Sequence, residues 1–332
     1  PTALAELVDR AWDHLARRRP GEVSIRIERG PGPNGSPVTV VEILNDNMPF
    51  LVDSTIAELA EQNYEIRLVV HPILTVTRAE DGTLVTFEGT EPPGEDSRAI
   101  RESLIHIHLD HIEDYAAVEA LRAGLAKTLA DVRVVVAGWK PMLKRLGAVV
   151  HELKHMPPPI PVAELAEAIQ FLEWLRDGHF TFLGLREYVM SGEGAEARLE
   201  PVDSSGLGLL ADTSVGLLRR GLQPVTMTPE LGEFLQQPRS LIISKANLRS
   251  RVHRRVHIDY VGVKLFDEAG RLKGELRLAG LFTSAAYTRP PHQIPYLRRK
   301  VEAVVSRLGY DPDSHSGKAL LNILESYPRD EL

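Results

Sequence analysis

Cysteine is missing from all 332 positions, which excludes disulfides, thiolate metal sites and a cysteine nucleophile. Long apolar runs are missing too: none approaches the ~20 residues that a membrane-spanning helix needs. The opening Pro1-Thr2-Ala3-Leu4 lacks the basic and apolar stretches of a secretory leader, so a cytoplasmic location without membrane contact is expected. An excess of positive charge is also absent. Lys and Arg number 39 against 46 Asp and Glu, a formal net charge of -7, which favours solubility and argues against a nucleic-acid partner. What is present is ordinary for a globular protein, with 43% hydrophobic and 26% charged residues. At roughly 100–200 residues per domain, two domains are expected. The chain starts without Met and stops at Arg329-Asp330-Glu331-Leu332, and is expected to be a piece of a longer protein.

Residues 1–21 read as a helix, with Leu4, Leu7, Val8, Ala11 and Leu15 on one face and Pro20-Gly21 ending it. Val23, Ile25 and Ile27 alternate as a strand, and after a Gly/Pro-rich turn 38–44 form a second. A helix follows with Val52, Ile56, Leu59 and Ala60 on one face. Then come a long strand over 66–77, a hairpin signal at Asp81-Gly82 before 84–87, a strand over 103–109 and helix over 113–155. This order across 22–156 implies an antiparallel sheet with helices on one face. Three prolines at 157–159 cannot continue a helix, so 157–161 read as a linker. The second domain, 162–290, opens with a helix whose Leu165, Ile169, Leu172 and Leu175 share a stripe. Strands over 180–190 and 197–202 flank a turn at 191–194, and short helices and loops fill 205–237. Strands over 240–248, 256–266 and 272–282 complete the domain. Residues 291–332 read as C-terminal helices leading to a further part of the protein. The fold class is α+β: an antiparallel-sheet domain followed by a second one, with flanking helices.

Three clusters carry candidate chemistry. Asn45, Asp46, Asn47 and Asp53 lie where a strand end turns into a helix start. Backbone N–H groups and the helix dipole there can bind a carboxylate; equally, Asp46 or Asn47 can cap the helix. His106, His108 and Asp110 share one strand face, opposite Ile105, Ile107 and Leu109. Such a face can hold a divalent metal or meet solvent or a partner sheet. No metal site is assigned, and the histidines are expected on a face free of helices. Lys245, Arg249, Arg251, His253, Arg254 and Arg255 form the densest basic run. It lacks the interleaved aromatics that bases stack on and reads as a contact loop to another part of the protein. Ser314 and His315 are neighbours on a helix start and supply no triad geometry; Ser314 reads as an N-cap. Neither Gly206-Leu207-Gly208 nor Gly192-Glu193-Gly194 sits between a strand and a long helix. No catalytic or cofactor-binding residue is therefore assigned.

The segment from Asn45 to Asp53 is similar to the strand–loop–helix of ACT domains, which sense amino acids. Phe50 stands where those domains usually have Gly, and its side chain obstructs close backbone approach. Two strands, a helical insert and three strands is the order of PAS-type sensory domains. The string from Val40 to Ser54 strongly resembles the N-terminal region of the large bacterial NAD-specific glutamate dehydrogenases. The strings at 103–110, 174–184, 280–287 and 311–332 agree with it in order. The resemblance implies an ACT-like (ferredoxin-like) domain and a PAS-like domain in a non-catalytic regulatory arm. It places NAD and the oxidative deamination of L-glutamate to 2-oxoglutarate elsewhere in the parent protein. Implied partners are a small effector, an amino acid or related metabolite, the rest of the parent chain and sister subunits of a homo-oligomer. The alternatives are a purely structural oligomerisation module and a free-standing metal-dependent enzyme using His106, His108 and Asp110.

Overall fold

Apolar alternation along the strands builds two antiparallel sheets in the computed structural model, which describes residues 2–32, 35–95, 97–192, 198–217, 225–226, 239–311 and 313–326. The chain divides into two units, Pro1–Val136 with Ser250–Arg255, and Ala137–Arg249 with Val256–Leu332. The division falls inside a single long helix. The proline stretch read as the linker lies downstream of it, within the second unit.

The first unit runs α1 (Thr2–Leu15), β1 (Ser24–Pro31), β2 (Pro37–Asp46), α2 (Leu51–Glu61), β3 (Ile66–Val70), β4 (Ile73–Arg78), β5 (Leu84–Phe87), β6 (Ile100–Asp110) and the start of α3 (Tyr115–His155). Its sheet order is β1-β2-β6-β4-β5, with β3 also on β6. The long strand expected over 66–77 is interrupted at His71-Pro72, because proline has no N–H to give the ladder. β3 therefore pairs with the end of β6, Ile66 opposite Leu109, and β4 with its start, Ile73 opposite Ser103. Val41, Ile43, Ile105, Ile107 and Leu109 are fully buried on the face that meets α2 and α3. Those helices touch closely: a Cβ on Gly124 of α3 would lie 2.5 Å from Glu58 Oε1 of α2.

The other face is not free of helices, contrary to the expectation. Leu15 of α1 packs there with Leu44, Leu74, Val76 and Leu104. The helix is turned away from its apolar stripe. Leu15, His14 and, just beyond the helix, Arg18 are buried, whereas Leu4 and Val8 are 68% and 58% exposed. The reason lies in the sheet. Its residues on this face include Glu42, Asp46 and Glu102, so the helix presents a histidine and an arginine to them.

In the second unit the rest of α3 and α4 (Val162–Trp174) lead into β7 (Phe180–Ser191), β8 (Arg198–Pro201), β9 (Leu207–Gly208), β10 (Val225–Thr226), β11 (Leu241–Arg249), β12 (His257–Phe266) and β13 (Leu272–Phe282). Helices α5 (Ser284–Thr288), α6 (Leu297–Leu308) and α7 (His315–Ser326) follow. The sheet order is β10-β8-β7-β13-β12-β11, with β9 on β7. One sheet face carries Leu185, Leu241, Val261, Val263, Leu276 and Leu278. It forms a core with Met142, Leu146, Val149 and Leu153 of α3 and Leu165, Phe171 and Leu172 of α4. Part of the turn read at 191–194 and most of the loop region over 218–238 lie outside the described residues. Among the described residues no helix is long and apolar enough to cross a membrane.

Candidate functional site

The sequence-predicted turn sits at the end of β2, and its polar groups are already partnered. The Asp46 carboxylate accepts from Arg18 Nη2 at 2.8 Å, Arg133 Nη1 at 2.9 Å and the Gly21 N–H at 3.0 Å. Burial raises its pKa, but the hydrogen bonds and charges of Arg18 and Arg133 outweigh burial and hold it below the usual value. Arg133 also donates to Asn45 Oδ1. Arg18 reaches Glu102 Oε1 at 2.6 Å, and Arg78 grips both Glu102 oxygens at 2.6 and 2.7 Å. Such forked contacts are the strong form of an ion pair. Asn47 is exposed, and its N–H donates to Arg101 O at 3.0 Å. Neither Asp46 nor Asn47 caps α2. The residue preceding the helix is Phe50, at φ 71°, the left-handed conformation that glycine adopts most easily.

The strand face read as a metal or contact surface continues the same polar seam under α1. Glu42, opposite His106 on the neighbouring strand, meets His106 Nδ1 at 3.0 Å, Arg26 Nε at 3.0 Å and His14 Nδ1 at 3.4 Å. Burial raises the Glu42 pKa, but the hydrogen bonds of His106, His14 and Arg26 drive it far below the usual range. His106 Nε2 and His108 Nε2 lie 2.8 Å apart and share a hydrogen bond. Burial lowers the His108 pKa, the charge of His106 lowers it further, and Glu42 opposes both. Asp110 is drawn away to Arg67 at 2.7 Å. Among the described residues no group of three or more metal-ligating side chains is placed to hold an ion.

The basic run is divided between the units. In the first, the 250–255 segment lies along α2 and α3. His253 Nδ1 meets Asp53 Oδ2 at 3.0 Å, and its N–H donates to Ser54 Oγ at 2.9 Å. Arg255 donates to Glu58, reaches Glu61 at 3.0 Å and lies 3.2 Å from Thr128 Oγ1. Arg251 pairs with Asp131 at 3.3 Å. The Phe50 ring rests 5.2 Å from that of His253. In the second unit, Lys245 pairs with Asp259 at 2.7 Å, Arg249 lies opposite His257 on β12, and the Arg254 N–H in the first donates to Val252 O. Asp53 and the run therefore meet, whereas Asn45 and Asp46 belong to the seam.

Sequence reasoning missed a second polar layer, on the face of the second sheet away from its core. Tyr260 donates to Glu275, Arg277 Nε donates to Glu275 Oε2 at 2.8 Å, and the Arg277 guanidinium lies 3.8 Å over the Tyr188 ring. Burial pushes Lys264 down to about 8, against the pull of Glu275. The signal was available: Tyr260, Lys264, Glu275 and Arg277 alternate with Val261, Val263, Leu276 and Leu278. Gly206-Leu207-Gly208 has a packing role. β9 pairs with β7, and a Cβ on Gly208, at φ 59°, would lie 2.3 Å from Leu183 O. The other glycine pair, at 192 and 194, lies partly outside the described residues.

Residues 1–125 match the family model for the glutamate dehydrogenase ACT1 domain, and residues 294–332 that for glutamate dehydrogenase helical motif 1. Both ends of the chain are thus similar to segments of glutamate dehydrogenases. The chain is 34% identical over 299 residues to the NAD-specific glutamate dehydrogenase of Halomonas elongata, covering 89% of this chain and 18% of that protein. For Pseudomonas aeruginosa the identity is 36% over 296 residues, with the same shares. For Mycobacterium tuberculosis it is 24% over 325 residues, covering 95% of this chain and 18% of the relative. The chain thus spans less than a fifth of the length of these dehydrogenases. In this family segment, Glu42, Asp46, Glu102, His106 and His108 all fall inside the ACT1 match.

Proposed function

We propose that this chain is a non-catalytic regulatory and assembly part of an NAD-specific glutamate dehydrogenase. The whole protein would convert L-glutamate to 2-oxoglutarate with NAD in the cytoplasm. The observation that carries this reading is the ACT1 match over residues 1–125 in a chain that spans 18% of its dehydrogenase relatives. It is supported by the chemistry of the first unit. Asp46, Glu102 and Glu42 are engaged by the chain's own arginines and histidines, so they serve packing and signal transmission better than proton transfer to a substrate. The effector is an amino acid or related metabolite, and no nucleic acid or membrane takes part.

Two measurements test this. The purified chain, given glutamate and NAD, is expected to produce no NADH above a heat-killed control; sustained production sinks the non-catalytic assignment. In the longer enzyme, Asp46→Ala, and separately His106→Ala with His108→Ala, are expected to alter effector response or assembly while the catalytic rate is retained. Unchanged assembly and response in both variants would remove these residues from the regulatory surface.

A second reading, a structural oligomerisation module, is favoured by β3. Its Leu68, Val69 and Val70 are 43%, 36% and 45% exposed on a strand that, among the described residues, pairs only with β6. Apolar strand edges of this kind accept another chain.

A further inference from the structure

Residues 151–155 read His-Glu-Leu-Lys-His and form the end of α3. A spacing of four places the two histidines one above the other on the same helix face. His-Glu-x-x-His on a helix is a zinc-binding pattern, with the imidazoles as ligands and the glutamate as a base. In this chain both histidines are exposed. Their rings stack at 3.9 Å between centres, 30° from parallel.

A plainer role exists for histidine at this place. A protonated ring near a helix C-terminus gains from the helix dipole. That accounts for one imidazole and not for the pair. Two imidazolium rings this close repel by about 1 kcal/mol even in water, so the stack favours at least one neutral ring. The hydrogen bonding then selects the ligating tautomer. His155 Nδ1 meets His151 O at 2.9 Å. A carbonyl only accepts, so Nδ1 carries the proton, and in the neutral ring the lone pair lies on Nε2. An outer hydrogen bond of this kind orients the imidazole of a metal-bound histidine. Two metal–nitrogen bonds of about 2.0–2.1 Å span at most ~4 Å, and the rings already stand at that separation.

The glutamate departs from the pattern. Glu152 Oε1 pairs with Arg145 Nη1 at 3.3 Å. Among the described residues no third metal-ligating side chain joins the two histidines, so water would complete the coordination with no base set upon it. We propose that His151 and His155 chelate one divalent transition-metal ion of the kind that prefers imidazole nitrogen, as a binding site and not a hydrolytic centre.

The test is calorimetric titration of the purified 332-residue chain with nickel chloride at pH 7.5. The expected result is a saturable site that His151→Ala and His155→Ala each weaken at least ~tenfold, and that is lost as pH falls below about 6.5 because the ligands must be unprotonated. His315→Ala removes an exposed histidine of α7 and should bind as the parent chain does, as should Glu152→Gln. Circular dichroism without metal should show the same helix content in all four variants, since each change is at the surface or conserves shape. Lack of saturable binding, or parent-like affinity in both His151→Ala and His155→Ala, overturns the proposal. An equal loss in His315→Ala or in Glu152→Gln also overturns it, by moving the site or by making the glutamate a ligand. The readout is metal binding to this chain without dehydrogenase activity, so its failure would leave the regulatory reading standing.

Discussion

Phe50 shows how one residue can hold two opposing contributions. Its φ of 71° costs an L-residue about 1–2 kcal/mol, while its ring against His253 returns about 0.5–1.5 kcal/mol. Phe50→Gly relieves the strain and loses the ring, so denaturant melting is expected to place it within ~1 kcal/mol of the parent chain. Phe50→Ala keeps the strain and loses the ring, and should be the less stable variant by about 1 kcal/mol. The reverse ranking would show that the left-handed turn is not a cost. Glu42 and His108 make a second residue-scale prediction. Both have folded pKa values below their ordinary 4.5 and 6.5. In each case the unfolded chain binds the proton more readily, so stability is present above the ordinary value and is lost as pH falls. The loss begins below pH 6.5 through His108 and steepens below 4.5 through Glu42. Glu42→Gln is expected to cost about 2–3 kcal/mol at neutral pH, because Arg26 loses its anion. It should flatten the slope below pH 4.5 through the lost carboxylate and steepen the limb below 6.5, because Glu42 no longer opposes the lowering of His108. An unchanged acid limb in urea melts at stepped pH would contradict this.

Among the elements, α3 decides where one unit ends. Met142, Leu146, Val149 and Leu153 belong to the core of the second unit, although they precede the prolines. A fragment beginning at Val162 would lose them and expose Phe171, Leu172 and Leu276. A fragment beginning at Ala137 keeps them. The shorter fragment is expected to be insoluble or several kcal/mol less stable, since each buried leucine removed costs about 2–5 kcal/mol; equal thermal stability of the two would argue for a boundary at the prolines. Elements with clean periodicity were legible in the sequence. The strands β2, β6, β12 and β13 follow from their apolar alternation, and Ser314 caps α7 through the Gly317 N–H at 3.0 Å. The register of α1 was not legible, because its buried face carries His14 and is matched to acidic strands distant in sequence.

At the scale of the whole molecule, the similarity to glutamate dehydrogenases was readable from ordered strings of residues, whereas the site was readable only in part. The sequence pointed to Asp46 and His106 as polar residues at a strand end and on a strand face. It could not show that Arg18 and Arg133 converge on Asp46, or that Arg26 and Arg78 hold Glu42 and Glu102 on the same face. The apolar edge of β3 yields a test of association. Val69→Lys places a charge on that edge, where natural sheets use lysine to prevent pairing. If the edge joins copies of the chain, sedimentation should show concentration-dependent association that the variant abolishes. Identical sedimentation of the two would assign any assembly to another surface.

The first unit is interrupted in the chain, because Ser250–Arg255 belongs to it while Ala137–Arg249 does not. During synthesis α2 emerges long before its counter-charges. Asp53, Glu58 and Asp131 wait for His253, Arg255 and Arg251 until the ribosome has passed β11. At roughly 5–20 residues per second the delay is on the order of ten seconds. Through that interval Glu58 has Gln62 and Thr128 beside it but not its arginine, so closure of the 250–255 segment on α2 waits for translation to reach Arg255.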